Sequence, residues 1–217
     1  MKRAPAKWVT CSCLVAGLAL FVLKSADAAD IPQRVVSIKV CTDQLALLLA
    51  NEGQLRSVSY LSQDPELSAM ATKVRELPIN HAQAEEVFLM KPDLVLAGTF
   101  SSRATVGLLR RLGIRVEEFA PARSFGDIEN HLHRMGELLG RQAEASQEID
   151  KMKAALRAIQ PPARRKTVAL FYANSNSYGQ GTLVDEAVRL AGLDNLADKV
   201  GVRGSALLPL EKLVLAK

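Results

Sequence analysis

Lys91-Pro92-Asp93-Leu94-Val95-Leu96-Ala97-Gly98 (KPDLVLAG) decides the architecture of this chain. Pro92 disfavours helix in the residue before it, so the preceding helix ends there. Asp93 to Ala97 then reads as a strand whose apolar residues do not alternate with polar ones. Such a strand is buried on both faces, as in a parallel sheet covered by helices on each side. Upstream, Ala84, Val87 and Phe88 fall at helical spacing. Downstream, a helix is expected from about Ser102 to Leu112, ended by Gly113, with a strand over Val116 to Phe119.

The same alternation extends towards the N-terminus. Val35-Val36-Ser37-Ile38 is short, β-branched and buried in character. Thr42 to Leu49 follows as a helix, with Thr42 or Asp43 placed to cap it. Val58 to Leu61 reads as another strand, and a short helix is expected after Pro65. Strands separated by helices imply an α/β fold with a parallel sheet.

From Ser124 to Ile159 the pattern changes. Ile128, Leu132, Met135 and Leu139 continue through Ala143 to Ile149, Met152, Leu156 and Ile159 as one stripe at helical spacing. A continuous helix of about 35 residues would span about 50 Å. Gly136 and Gly140 each weaken it by about 1 kcal/mol, and Pro161-Pro162 closes it. The stripe fits a surface helix, a helical pair broken near Gly140, or a rigid strut between two lobes. Afterwards the α/β pattern resumes. Thr167 to Tyr172 (TVALFY) is expected as a strand, and the loop Tyr178-Gly179-Gln180-Gly181 leads into a helix from Thr182 to Ala191. A last amphipathic turn carries Leu210, Leu213 and Val214.

Residues 84–91 (AEEVFLMK) and 210–217 (LEKLVLAK) share Glu, Leu and Lys at matching places. The first copy runs on into Pro92-Asp93 and a strand, whereas the second meets the end of the sequence. The expectation is therefore a second lobe that is incomplete. The fold class read from the residues is α/β, with parallel-sheet segments on either side of the 124–159 stripe and the second of them incomplete. The expected divisions are 29–122 for the N-terminal lobe, 123–162 for the linking helix and 163–217 for the partial C-terminal lobe.

The first 28 residues carry a targeting signal. Lys2, Arg3 and Lys7 precede the apolar run Val9–Leu23, and Ala26-Asp27-Ala28 matches a small-residue cleavage site. The run falls short of the roughly 20 residues that span a bilayer. A cleaved signal peptide over 1–28, and so a periplasmic mature chain, is expected. A lipoprotein reading needs a Cys just after the apolar run, whereas Cys11 and Cys13 lie at its start.

Removing that leader changes the charge argument. The chain has 28 basic and 23 acidic residues, net +5. Without the leader's four basic residues and Asp27, 24 and 22 remain, net +2, which is no argument for a nucleic-acid partner. Cys41 is then the single cysteine and can form no internal disulfide.

The segments RVVSIKVCTDQLALLLA (34–50), KPDLVLAG (91–98) and LRRLGIRVEEF (109–119) resemble the periplasmic solute-binding proteins of cobalamin and ferric-siderophore ABC importers. That resemblance, over Ile31 to the end, implies two α/β lobes joined by one long helix, with ligand held between them. It also implies an inner-membrane ABC permease as partner and a monomeric protein with no cofactor. In that class a glutamate on each lobe docks into the permease, and here those positions match Glu85 and Glu211.

Ligands of open α/β sheets bind outside the carboxyl ends of the strands. In this chain those ends supply Lys39, Cys41, Thr42, Tyr60, Thr99, Phe100, Tyr172 and Asn174, with Tyr178 as an added wall. Free N–H groups at the Thr42 and Thr182 helix starts suit an anionic group. The aromatic rings suit a flat or bulky ligand, and Arg103 and Arg203 suit an anionic siderophore. No nearby His activates Cys41, which reads otherwise as a buried thiol. His131 and His133, at i and i+2 on a helix, point to different faces, leaving His81 as the lone metal candidate. G-x-S-x-G, H-E-x-x-H and P-loop motifs are all missing, so an enzyme is not expected. The alternatives are a fragment that binds nothing and a secreted α/β enzyme.

Overall fold

The computed structural model describes residues 31–215. The expected signal peptide and its cleavage site lie outside the described residues. In chain order the first part comprises β1 (Val35–Ser37), α1 (Val40–Leu49), β2 (Leu55–Ser59), β3 (Ile79–Asn80) and α2 (Ala84–Leu89). It continues through β4 (Leu94–Gly98), α3 (Arg103–Arg111), β5 (Val116–Phe119), α4 (Phe125–Leu139) and α5 (Gln142–Ala158).

Strands β1 to β5 form one parallel sheet in the order β3-β2-β1-β4-β5. The chain builds outward from β1 through β2 to β3, then crosses to β4 and β5 on the other side. That reversal puts a topological switch point between β1 and β4. Side chains alternate across the sheet. Val35, Leu94 and Leu96 face α1, α4 and α5, packing on Ala46, Leu49, Met135, Leu139 and Ile149. Val36, Val95 and Ala97 face α2 and α3, packing on Ala84, Val87, Val106 and Leu109. β4 is buried along its whole length, which is why KPDLVLAG shows no alternation.

Several local expectations shift. β2 begins at Leu55, three residues early, and Tyr60–Gln63 forms a 3₁₀ turn rather than strand. No α-helix follows Pro65; Ala71–Lys73 makes one 3₁₀ turn. α1 begins at Val40 with Lys39 as its N-cap and no side-chain cap. Thr42 instead donates to the Lys39 carbonyl and pairs with Ser37. Asp43 is buried and accepts from the Ser59 N–H and hydroxyl and from Ser62. Asp43 is thus held by residues at and just past the carboxyl end of β2, and Thr42 by the end of β1 and the N-cap carbonyl, and neither side chain caps a helix N–H.

The stripe over 124–159 is two helices rather than one strut. Gly140 caps α4 in a left-handed conformation (φ 70°), and α5 returns along α4. The Lys153 ammonium meets the Glu129 carboxylate. Twenty-four residues along a straight helix would put these groups about 36 Å apart. Gly136 permits the close approach, since a Cβ there would lie 2.6 Å from the Ala145 Cβ. The expected continuous linking helix is corrected to this hairpin, of which α5 leads onward.

The remaining elements are β6 (Thr167–Val168), β7 (Asn176–Tyr178), α6 (Leu183–Leu190), β8 (Asp194–Asn195), α7 (Leu196–Lys199), β9 (Ser205–Leu207) and α8 (Leu210–Leu215). β6 pairs parallel with β8, and β7 antiparallel with β9. The expected strand Thr167–Tyr172 keeps only its first two residues. Asn174 and Ser175 take positive φ, and the chain doubles back so that the Tyr172 N–H donates to the Asn176 carbonyl. The repeat has a structural counterpart: α2 and α8 are six-residue helices at matching positions. Val87 is buried, whereas Leu210, Val214 and Leu215 are exposed. The described residues 31–215 belong to one compact unit, and no described helix is long and apolar enough to cross a membrane.

Candidate functional site

A cavity of about 480 Å³ opens at the carboxyl ends of β1, β4 and β5, at the switch point. Each strand end contributes part of the wall: Lys39 after β1, Gly98, Thr99 and Phe100 after β4, and Phe119 to Ala122 from β5 onward. The first turns of α1 add Cys41, Thr42, Gln44, Leu45 and Leu48. Ala69, Met70, Ile128 and His131 line it further, and Leu183 of α6 reaches it from the C-terminal part. Gly98 admits the Lys39 stem, because a Cβ there would stand 3.2 Å from the Lys39 Cγ.

Five expected ligand residues, Lys39, Cys41, Thr42, Thr99 and Phe100, line this one cavity. Phe100 is 80% exposed although it is large and apolar. Cys41 is exposed as well, which corrects the buried-thiol reading. With α1 starting at Val40, position 41 falls on the first turn and faces outward. Four others lie elsewhere. Tyr60 stacks on His81 with centroids 5.4 Å apart, and His81 contacts Glu86. Tyr172 and Tyr178 meet edge to face at 5.2 Å, and Asn174 occupies an exposed turn. Arg103 and Arg203 are exposed and do not line the cavity. Thr182 caps α6, accepting from the Asp185 N–H. Glu85 is exposed at the start of α2 and Glu211 on α8.

His131 was missed as a wall residue. Its signal was the helical stripe itself, where it sits beside Ile128 and Leu132, one step toward the polar face. The ring meets Phe119 edge-on, with centroids 5.5 Å apart. Phe119 is held in turn beneath the Arg134 guanidinium, 4.6 Å from its ring centre. Arg134 is fixed by the Glu118 carbonyl and the Glu117 carboxylate. Burial holds the His131 pKa below its ordinary 6.5; Asp127 opposes that shift and Arg134 adds to it. Burial would raise the Glu117 pKa, but hydrogen bonds and charge from Arg134 and Arg115 outweigh it and hold the carboxyl below 4.5.

Two further polar fasteners escaped the sequence reading. Asn80, ending β3, donates to the Ser37 carbonyl and Ser57, and accepts from the Ala82 N–H. Asn195, ending β8, donates to the Tyr178 carbonyl and Asp185, and accepts from the Ala197 N–H. Each seals a strand end next to its helix, so the two parts repeat one local design. The parts are also tied directly. Arg123 donates to the Gly181 carbonyl, and the Glu186 carboxylate accepts from the Phe125 N–H at the start of α4.

The chain is 28% identical over 136 residues to an uncharacterized ABC transporter substrate-binding lipoprotein of Bacillus subtilis (strain 168), YvrC. That match covers 61% of this chain and 42% of the relative's length, so the chain spans well under two thirds of it. Among solved structures it resembles a possible iron-binding periplasmic solute-binding protein of Staphylococcus epidermidis ATCC 12228, with TM-score 0.71 and 17% identity, over 85% of this chain and 74% of that one. It also resembles the periplasmic heme-binding protein HutB of Vibrio cholerae, with TM-score 0.70 and 20% identity, over 84% and 72%. At such identity these likenesses speak for the fold. The family model described as periplasmic binding protein matches residues 35–216, and the chain belongs to that family.

Proposed function

We propose that this chain is the solute-binding component of an ABC importer. It captures cobalamin or a ferric siderophore-type iron complex between an N-terminal lobe (29–122) and a C-terminal lobe (from 163), and delivers it to the inner-membrane permease. The observation that carries this reading is the cavity at the β1/β4 switch point, where parallel α/β sheets take their ligands. Its volume lies within the roughly 300–1,000 Å³ typical of small-molecule sites. Leu183 brings the C-terminal part to the same cavity, so both parts contribute to one wall.

The leader 1–28 is assigned to export, which puts the mature chain in the periplasm. N-terminal sequencing of the periplasmic fraction tests it, and cleavage after Ala28 is the expected result. Binding is tested by quenching of intrinsic tyrosine fluorescence on titration with cyanocobalamin, ferric siderophores and haem. No saturable change with any of them refutes the reading.

Glu85 and Glu211 are assigned to permease docking. Glu85 opens α2, which starts directly after the carboxyl end of β3, and so stands on the cavity's side of the sheet. Glu85→Lys or Glu211→Lys is expected to reduce ligand-stimulated ATPase activity of the reconstituted transporter, with ligand affinity unchanged within twofold. Equal stimulation by both variants and the parent removes the assignment.

A further inference from the structure

We propose that Glu186 and Arg123 form a two-point clasp holding the C-terminal part over the cavity, with Glu186 as the positioning residue that sets Leu183 against its wall. This rests on the solute-binding reading above and adds to it what fixes the geometry of the cavity. The first observation is how few polar ties cross between the two parts. Among the described residues, two hydrogen bonds join groups before Pro161 to groups after Pro162. In one, the Phe125 N–H donates to the Glu186 carboxylate at 2.8 Å. In the other, the Arg123 guanidinium donates to the Gly181 carbonyl at 3.3 Å. Every ion pair among the described residues stays within one part or the other.

The second observation is where the clasp sits. Arg123 and Phe125 lie inside the stretch that builds the cavity: Phe119 to Ala122 line it just before them, and Ile128 and His131 just after. Leu183 opens α6, and Glu186 follows one helical turn later on the same face. Gly181 stands two residues before Leu183, so the Arg123 bond holds the turn entering α6. Both bonds thus fasten the element that carries Leu183 to the one that carries Ile128. The local chemistry suits the task. The first N–H groups of a helix have no partner within it. Ser124 serves the Asp127 N–H of α4 from next to its own helix, and Glu186 serves the Phe125 N–H from the other part. A carboxylate there also meets the positive end of the helix dipole. Arg189, the cation one turn further along α6, is taken by Asp185 at 2.7 Å, which leaves Glu186 for Phe125. Arg123, Ser124, Gly181, Thr182 and Glu186 border a second cavity of about 420 Å³. The clasp is therefore a strip between two openings and not part of a packed core.

Clasp and cavity are tested separately on the full chain. Hydrogen exchange at the Phe125 amide reports the clasp without any ligand. Glu186→Ala is expected to speed it at least tenfold. Glu186→Gln, whose side-chain carbonyl still accepts, should stay within threefold of the wild type. For the cavity, cyanocobalamin, hemin and a ferric trihydroxamate are titrated by tyrosine fluorescence, and the probe that binds is followed by stopped flow. Loss of a held wall shows mainly in escape, so Glu186→Ala should raise the dissociation rate at least tenfold, with association changed less than threefold. Glu186→Gln should again stay within threefold. Phe125→Pro removes the donor at the first helical position, where proline is accepted. In that background Glu186→Ala should change dissociation less than twofold, whereas in Phe125→Ala, which keeps the donor, its tenfold effect should remain. Far-UV circular dichroism checks that each variant is folded. Unchanged exchange at Phe125 in Glu186→Ala overturns the clasp. Faster exchange with unchanged dissociation overturns the positioning role, as does an equal effect of Glu186→Ala in the Phe125→Pro background. No binding of any probe by the wild-type protein overturns solute binding and the positioning role with it, while the Phe125 amide still decides the clasp.

Discussion

The helical hairpin makes a sharp energetic prediction at Gly136. A methyl group added there would meet the Ala145 Cβ at 2.6 Å and the Arg141 carbonyl oxygen at 3.0 Å. Carbon atoms rest about 3.5–4.0 Å apart, so α4 and α5 would have to separate by about 1 Å. Overpacking of this kind costs about 1–3 kcal/mol. Replacing a helix-interior glycine by alanine returns about 1 kcal/mol. Gly136→Ala alone is therefore expected to lie between neutral and about 2 kcal/mol destabilising. Ala145→Gly alone loses helix propensity and a fully buried methyl, about 1–2 kcal/mol. In the double variant the methyl groups have traded places and the main clash is gone. The double variant should then be more stable than the sum of the single effects by about 1–3 kcal/mol. Urea unfolding followed by far-UV circular dichroism measures all four proteins of this cycle. In one continuous helix residues 136 and 145 would stand about 13 Å apart, and their effects would add within about 0.5 kcal/mol. Additivity to that limit would refute the hairpin.

Leu96→Ala removes a fully buried side chain from the central strand and should lower stability by about 2–5 kcal/mol in the same urea assay. Asp43→Ala leaves Ser59 and Ser62 without their shared acceptor and should destabilise by at least about 2 kcal/mol. Ser59→Ala should then cost far less in the Asp43→Ala background than in the parent. Ser124 accepts from the Asp127 N–H at the start of α4, and Ser124→Ala should lose about 1 kcal/mol. The Glu117 pKa is lower folded than unfolded, so the unfolded chain binds more protons across that interval and stability rises with pH there. Its contribution is present above the ordinary 4.5 and fades as pH falls through the lowered folded value. Glu117→Gln should flatten that part of the acid stability profile, read as Cm against pH.

The parallel sheet was legible in the chain itself because burial on both faces writes an unbroken apolar run, as in Leu94–Ala97, between helices marked by period and by Pro92 and Gly113. Val116–Phe119 coincides with β5, although Glu117 and Glu118 at its centre are only half-buried, because Gly113 ends the helix before it and Val116 and Phe119 are buried. The cavity was legible in outline, since parallel strands deliver ligands at their carboxyl ends, and Lys39, Thr99 and Phe100 stand there. What one-dimensional pattern does not carry is the direction a helix takes after a break, or which neighbour claims a polar side chain. A stripe at helical spacing is the same for a strut and a hairpin. Only the fit of Gly136 against Ala145 and the left-handed turn at Gly140 decide between them. Thr42 and Asp43 carry capping side chains, but the Asp43 carboxylate is claimed by Ser59 and Ser62, 16 and 19 residues along the chain, and the Thr42 hydroxyl by Ser37 and the Lys39 carbonyl. His131 looked like one more residue of an amphipathic face. It became a wall of the cavity because α4 packs across β5, bringing the ring against Phe119 at the end of a strand.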